Sequence, residues 1–506
     1  MRKSAILATV AALALAGCGG GGGGGSGGSG STTAPTLTPT VSVQLTKPKT
    51  VVGSPVTLSW SSTNATSCVG MDALSGTKAT SSSEVITPSK GGQYTYTISC
   101  DGAGGTAKQS VSLIVPMPVF DTSYENKNNI DFSNTAVPTI RAMGINKLYA
   151  DEQDSPDRSV TFGDFTQEGK YTAFTHTTRA TNKYGIANIA DVPGVPYFVQ
   201  QDSTGKWIDV TSKLIPNVAD RKSCITVSYA FTADLNNDGK PDVYLACTGV
   251  DADVSSVTGP GIQPGINIEN SVMFLSQPDG TYKRSEVPFQ LYAHKAALAD
   301  LDGDGNIDVV TISTFDATPN ANTGLPFVLW GNGDGTFRRD NTVFTPELWS
   351  YMPQNEGLWN VDLVPNNGKI DLVLIGGSQL MIFKDFRNAA KNGINYAAAI
   401  TVRFRYDDKG NRFDFPLDTV FVNNNYYFMS TVNGPNAGDL IWNILKYDSI
   451  GEYQSSIYTF LNSPANFQAY IAQFKPQNGK FIAYGSGCPP VEITTQGMCA
   501  MSVPIQ

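Results

Sequence analysis

Two histidines, His176 and His294, are all that this 506-residue chain contains. An H-E-x-x-H zinc helix is absent, and so is the C-x-x-C spacing of structural zinc sites. The G-x-S-x-G match falls around Ser26, inside a run of glycines with neither the strand nor the helix that a nucleophile elbow needs. A surplus of positive charge is missing too: 35 Lys and Arg stand against 44 Asp and Glu, for a net charge of −9. That balance argues against a nucleic-acid partner. The apolar run at the start, Ala5 to Ala16, is too short to cross a hydrocarbon layer of about 30 Å. Residues 41–115 show no helical period.

What is present starts with the first twenty residues, "MRKSAILATVAALALAGCGG". Arg2 and Lys3, the apolar run and the small residues at its exit have the form of a secretory signal. Leu15-Ala16-Gly17-Cys18 resembles the lipobox of bacterial lipoproteins. The resemblance implies a signal over 1–17, removed so that Cys18 becomes a lipidated N-terminus; a plain secretory signal is the alternative. With Gly19 after the cysteine, it further implies the bacterial outer membrane or cell surface, with the membrane contacted through lipid. Without Arg2 and Lys3 the net charge moves from −9 to −11. Residues 18–40 continue as "GGGGGGGSGGSGS" and "TTAPTLTPT", a tether reaching roughly 25 Å. With Cys18 set aside, six cysteines fall as Cys68/Cys100, Cys224/Cys247 and Cys488/Cys499. An oxidising compartment allows three bridges, and neighbour pairing is the simplest connectivity.

Over 41–116 short segments alternate apolar and polar residues: "VSVQLT", "PVTLSWSS", "SEVITP", "QYTYTISC" and "AKQSVSLIV". Separated by Gly, Pro, Ser and Asn, they predict a small β-sandwich. "VTLSWSSTNATSC" and "YTYTISCDGAGGTAKQSVSL" resemble bacterial Ig-like modules, although Trp60 precedes the first cysteine of the pair. The resemblance implies a stalk rather than a ligand binder.

Pro116 and Pro118 mark a boundary, and the stretch 117–506 is too long for one ordinary core unless the fold repeats. Repeats are there. "VTFGDFTQEGKYTAF" (160–174), "FTADLNNDGKPDVYLAC" (231–247), "AALADLDGDGNIDVV" (296–310) and "LWNVDLVPNNGKIDLVLIGG" (358–377) carry their first aspartates at 164, 234, 300 and 362. The intervals are 70, 66 and 62 residues. After each comes a second strand–turn–strand segment: "YFVQQDSTGKWIDV" (197–210), "VMFLSQPDGTYKR" (272–284), "FVLWGNGDGTFRR" (327–339) and "IWNILKYDSIGEYQS" (441–455). Worn hairpins without the carboxylates stand at 419–432 and 472–487. Two hairpins in about 60 residues is the size of a propeller blade. The expected fold is all-β: a β-sandwich followed by a propeller of seven blades, six being the alternative, with 117–150 completing a blade or closing the ring.

The two full loops read Asp-x-Asn-x-Asp-Gly-x-x-Asp and Asp-x-Asp-x-Asp-Gly-x-x-Asp. Oxygen donors at alternating positions suit a hard cation, and Ca²⁺ more than Mg²⁺. Gly239 and Gly305 stand where the chain must turn sharply. An EF-hand is ruled out, because its closing glutamate is replaced by Leu245 and Thr311 and a strand follows in place of a helix. The loops together with "GNGDGTF" resemble FG-GAP/VCBS repeats, as in the integrin α-subunit head. The resemblance implies calcium held by Asp234, Asn236, Asp238, the Lys240 carbonyl and Asp242, and by Asp300, Asp302, Asp304, the Asn306 carbonyl and Asp308. Weaker sets follow near 164 (Asp164, Thr166, Glu168, with Thr172 replacing the last aspartate) and near 362 (Asp362, Asn367, Asp371). A solvated turn without an ion is the bland alternative. No catalytic residue stands out. Trp330, Trp349, Trp359 and Trp442 would serve as a sugar platform or as blade packing. The functional expectation is a surface-anchored, calcium-binding propeller lipoprotein that serves as an adhesion or ligand-binding module for an extracellular or envelope protein or a glycan. The alternatives are a carbohydrate-active enzyme and a scaffold of an envelope complex.

Overall fold

The computed structural model describes residues 37–50, 54–88, 92–115, 143–154, 160–170, 172–179, 193–248, 269–316, 325–352, 358–376, 379–403, 416–433, 440–447, 453–462, 471–477, 479–486 and 498–505. Cys18, Cys488 and most of the stretch expected to close the ring lie outside them.

Seven strands come first: β1 (Thr40–Leu45), β2 (Val56–Thr63), β3 (Ser67–Asp72), β4 (Gly76–Lys78), β5 (Ser81–Ile86), β6 (Gly92–Gly102) and β7 (Gly105–Val115). They form two antiparallel sheets, β1-β2-β5 and β4-β3-β6-β7. The alternation in β2 turns Val56, Leu58 and Trp60 inward, where they meet Ile98, Cys100 and Leu113 of the other sheet. Each such side chain contributes about 1.5–3 kcal/mol by leaving water. Trp60 keeps its indole N–H satisfied by donating to the Ala79 carbonyl at 2.8 Å. The Cys68–Cys100 disulfide joins directly opposed residues of β3 and β6, so it ties two strands of one sheet and not the two sheets to each other.

Beyond residue 150 the strands are β8 (Glu152–Asp154), β9 (Thr161–Gly163), β10 (Thr172–Arg179), β11 (Val195–Gln201), β12 (Trp207–Asp209), β13 (Val227–Ala233), β14 (Asp242–Cys247), β15 (Glu269–Ser276), β16 (Tyr282–Ala299), β17 (Asp308–Asp316), β18 (Phe327–Gly331), β19 (Phe337–Asp340), β20 (Leu358–Asn366), β21 (Lys369–Gly376), β22 (Gln379–Phe383), β23 (Ile400–Arg403), β24 (Pro416–Val422), β25 (Asn425–Asn433), β26 (Leu440–Tyr447), β27 (Tyr453–Asn462), β28 (Ile471–Gln477), β29 (Lys480–Ser486) and β30 (Met498–Pro504). Two short helices, α1 (Thr211–Leu214) and α2 (Phe386–Asn392), interrupt them.

Consecutive strands pair antiparallel into up-and-down sheets, and the first strands of successive sheets contact one another in the order β9, β13, β16, β20, β24, β28. Sheets arranged about a shared line of first strands make a β-propeller. Six blade-sized units stand among the described residues, two of them within one seven-stranded sheet. Blade 1 is β8–β12, blade 2 is β13 to the first half of β16, and blade 3 is the second half of β16 to β19. Blade 4 is β20–β23, blade 5 β24–β27 and blade 6 β28–β30. The sequence separates blades 2 and 3 into distinct hairpins; instead a single 18-residue strand, β16, serves both. Its register shifts between Leu291 and Ala296, where it changes partner face without breaking.

Each inner blade is covered on both sides, which explains why its strands read as unbroken apolar runs. Along β14, Val243 and Leu245 pack with Phe174 and Phe198 of blade 1, while Tyr244 and Ala246 pack with Leu298 and Val309 of blade 3. Along β21, Leu372 and Leu374 face blade 3 and Val373 and Ile375 face blade 5. Cys224 and Cys247 are bonded beside the blade 1–2 core. Of the three bridges expected from neighbour pairing, Cys68–Cys100 and Cys224–Cys247 are therefore formed among the described residues. The expected Cys488–Cys499 bridge is not among them. The backbone of Cys499 runs in β30 opposite Gly485, while Cys488 and the Cys499 side chain lie outside the described residues. Polar contacts join the inner strands as well. Thr161 and Thr232 hydroxyls lie 2.8 Å apart, and Lys295 of β16 forms ion pairs with Asp362 of β20 and, at 3.1 Å, with Asp418 of β24. The Phe474 N–H of β28 donates to Asp418 at 2.9 Å.

Candidate metal centre

The acidic loops occupy the same place in blades 1, 2 and 3, the turn between first and second strands. A shared backbone frame builds them. The first aspartate accepts N–H groups from its own loop: Asp164 from Glu168 and Gly169 (3.1 and 2.8 Å), Asp234 from Asp238 and Gly239 (3.1 and 2.9 Å), Asp300 from Gly303 and Gly305 (2.6 and 3.2 Å). The chain turns left-handed at the fourth and sixth positions, Gln167/Gly169, Asn237/Gly239 and Gly303/Gly305. Sequence reasoning found the sixth position and missed the fourth, since only the 300–308 loop has a glycine there, Gly303, and Gln167 and Asn237 give no such signal.

In the loop 300–308, carboxylate oxygens of Asp300, Asp302 and Asp304 lie within 4.8 Å of one another. Asp302 accepts the Asp304 N–H at 3.0 Å, and Asp304 accepts the Asn306 N–H at 2.7 Å and its side-chain amide at 2.6 Å. Burial, with Asp302 and Asp304 nearby, raises the Asp300 carboxyl; burial also raises Asp302. Asp308 closes the loop by accepting Leu301 N–H (2.7 Å) and Gly331 N–H (2.8 Å), and burial pushes it up to about 8. From α2, Arg387 donates to the Asp300 carbonyl at 2.5 Å and Lys391 to that of Asp302.

The loop 234–242 repeats the closing contacts, though not the convergence of three carboxylates. Asp242 accepts Leu235 N–H (2.7 Å) and Ser276 N–H (2.6 Å), and burial pushes it up to about 7. Burial, then Asp242 and Asp238, lift Asp234 well above the usual carboxylate range. The Ser276 hydroxyl donates to Asp238 at 2.9 Å, and Asn236 and Lys240 donate to the carbonyls of Ser276 and Gln277, both at 2.9 Å. Ser276 and Gly331 are the equivalent last residues of β15 and β18; the sequence reading placed both in second hairpins but gave them no part in the acidic loops. Their signal is a small residue ending a strand just before the second turn. Close carboxylates that resist ionisation are what a bound cation reverses. An all-oxygen donor set with a carbonyl at the seventh position fits Ca²⁺.

The weaker sets differ. In the loop from 164 to 172, Glu168 is claimed by Lys213 and by Lys170 at 3.1 Å, which hold its carboxyl down at about 2, and Thr166 and Thr172 offer hydroxyls. In blade 4 the sequence-expected trio is not gathered. The ladder zips up to Asn366 opposite Lys369, leaving a two-residue turn of Asn367 (φ 49°) and Gly368 (φ 81°). Asp362 sits inside β20 against Lys295, and Asp371 accepts Asn366 (2.6 Å), Lys384 (3.2 Å) and Tyr426. Burial alone would lower the Lys295 ammonium, but Asp362 and Asp418 outweigh it and hold it above the usual lysine range. Another gathered set, Cys224, Cys247 and Glu269, is a disulfide beside a carboxylate that accepts Ile225 N–H at 2.9 Å, and its sulfurs are not free to ligate.

Of the tryptophans, Trp330 and Trp349 pack on the blade 3–4 core, whereas Trp359 is 39% exposed with its ring edge-on to His294 at 5.2 Å. The Trp442 side chain lies outside the described residues. Among the described residues no helix is long and apolar enough to cross a membrane.

No model of a known family matches the chain, and no curated protein matches it. Among solved structures it is similar to a quinoprotein alcohol dehydrogenase-like protein from Bacteroides thetaiotaomicron, at 10% identity and a TM-score of 0.30 over 92% of this chain and 98% of that one. It is also similar to an α-L-arabinofuranosidase from Clostridium thermocellum (13%, 0.30, 52% and 90%). A third is the β-propeller domain of the Trilobed protease from Pyrococcus furiosus (10%, 0.28, 91% and 95%). Likenesses this slight assign no activity; the class, an all-β propeller protein, rests on the sheets described above.

Proposed function

We propose that this chain is a lipid-anchored binding protein of the bacterial outer membrane or cell surface, whose propeller is locked by structural Ca²⁺ and presents a face to an extracellular or envelope protein or glycan. The observation that carries the calcium part is the convergence of Asp300, Asp302 and Asp304 within one turn, on a backbone frame repeated at 234–242. Asp234, Asn236, Asp238, the Lys240 carbonyl and Asp242 would hold one ion; Asp300, Asp302, Asp304, the Asn306 carbonyl and Asp308 would hold the other. Asp242 and Asp308 already accept backbone N–H groups, yet each carboxylate oxygen has a second lone pair to offer. The ion would neutralise the loop and brace the blade without performing chemistry. The anchoring part rests on Leu15-Ala16-Gly17-Cys18. The close carboxylates Asp362 and Asp418 do not favour an enzyme, since Lys295 bridges them at 4% side-chain exposure.

The calorimetric melt of the full chain in detergent, with EGTA and with millimolar calcium, tests the metal reading. A melt that calcium leaves where EGTA puts it means that the loops are ordinary turns. Cys18→Ser should move the protein from the membrane to the soluble fraction. A glycan and matrix-protein screen with and without calcium identifies the ligand, and a co-purifying envelope complex would select the scaffold alternative.

A further inference from the structure

The turn "GNGDG" at 331–335 in blade 3 is not a calcium loop, yet it lies against both of them. Gly331 N–H donates to Asp308 at 2.8 Å, and the Gly331 carbonyl accepts the Asn306 side chain at 3.1 Å. On its other side the Gly333 carbonyl accepts the Asn237 side chain at 3.1 Å, and Gly335 N–H donates to the Leu235 carbonyl at 3.1 Å. The two loops also touch directly: Asn237 Nδ2 donates to Asn306 Oδ1 at 2.7 Å, with both residues buried. Any side chain at Gly333 would collide with both amides. Lys49 of the sandwich donates to the same Asn306 oxygen at 2.9 Å.

We propose that the two loops take up calcium as one coupled pair, with the Asn237–Asn306 contact transmitting the coupling. The inference rests on the calcium reading above. Asn306 supplies the seventh-position carbonyl of its loop, and its side-chain amide also holds Asp304, the fifth-position donor. Asn237 stands left-handed between two donors of the other loop, Asn236 and Asp238. An ion that fixes Asn236 and Asp238 fixes the backbone of Asn237, and so the amide that positions Asn306. The second ion then meets a loop whose ordering has largely been done, which is positive coupling without any change of fold. By linkage the effect must be equal in both directions.

The experiment is calorimetric titration of the full chain in detergent with calcium alone. Asp304→Ala should weaken the affinity of the 234–242 loop, and Asp238→Ala should weaken that of the 300–308 loop by the same factor, about fivefold or more. In an Asn237→Gly background both cross-effects should vanish while two ions still bind. Glycine preserves the left-handed backbone there, because the equivalent position of the other loop is already Gly303. Should Asp304→Ala fail to fold, Asp304→Asn carries the same comparison. Two sites that bind with no cross-effect, or a cross-effect that survives Asn237→Gly, overturn the coupling and leave the calcium reading standing. Absence of calcium uptake by the unmutated chain overturns both.

Discussion

Blades 3 and 4 carry the same burden in different ways. Both place aspartates in or beside the first hairpin, where burial disfavours their charge. Blade 3 gathers them in an open nine-residue loop, 300–308, which on the proposed reading takes its cation from outside. Blade 4 pairs its strands to the last rung, closes with Asn367-Gly368, and leaves Asp362 to an ammonium supplied from within by Lys295. A turn with φ > 0 at both central residues suits the twist of a hairpin and needs no ion. On the proposed calcium reading, one repeat depends on the solvent's composition, and its neighbour on an ion pair held inside the fold.

That contrast can be broken from either side. Lys295→Met should cost about 3–5 kcal/mol, because the buried Asp362 would lose its cation and Asp418 would keep only backbone N–H donors. Urea unfolding should show the loss equally with calcium and with EGTA; a calcium-dependent loss would mean that blade 4 also uses an ion. Asp238→Ala and Asp304→Ala should each remove about 2.7 kcal/mol at calcium 100 times the dissociation constant, and almost nothing in EGTA. Melts in both buffers measure this.

Blade 1 sharpens the comparison through pH. His176 of β10 is buried, with neither ring nitrogen hydrogen-bonded among the described residues, and burial pushes it down to about 3. The unfolded chain takes up a proton below about pH 6.5 that the fold cannot accept, so this share of stability is whole above 6.5 and shrinks as pH falls toward 3. Between pH 7 and pH 5 the loss should be about 2 kcal/mol. His176→Phe should flatten the stability–pH curve in that window, and an unaltered slope would assign it to other groups. The smallest effect belongs to the blade 4 turn. Gly368→Ala, at φ 81°, should cost about 1–2 kcal/mol in either buffer.

Much of this was legible in the chain. The hairpins at 197–210, 327–339 and 441–455 fall on strand pairs β11–β12, β18–β19 and β26–β27, because turn residues punctuate apolar runs there. The worn units at 419–432 and 472–487 fall on β24–β25 and β28–β29. The Cys68–Cys100 and Cys224–Cys247 pairs form as neighbour pairing predicts. The third pair does not join them among the described residues: Cys499 is placed in β30 by its backbone alone, and Cys488 lies outside. What escaped was non-local. Spacing places Asp362 in a loop, but its side chain answers to Lys295, 67 positions away. Ser276 and Gly331 hold Asp242 and Asp308 from strands that a linear motif does not include. The helix α2, inserted between β22 and β23, breaks the repeat with no counterpart among the described residues of the other blades. Its Arg387 and Lys391 act on carbonyls of the preceding blade.

The uninterrupted strand β16 bears on how the molecule comes apart. At each other boundary the last strand of one blade and the first strand of the next are separate elements with residues between them, where a protease can cut and amide protons can exchange without disturbing a ladder. From Tyr282 to Ala299 there is no such seam: the outer edge of one blade is the inner wall of the next. Opening either blade must strip the shared strand from the other, so the two blades with complete acidic loops should exchange their amides as a single foldon, protected together and lost together.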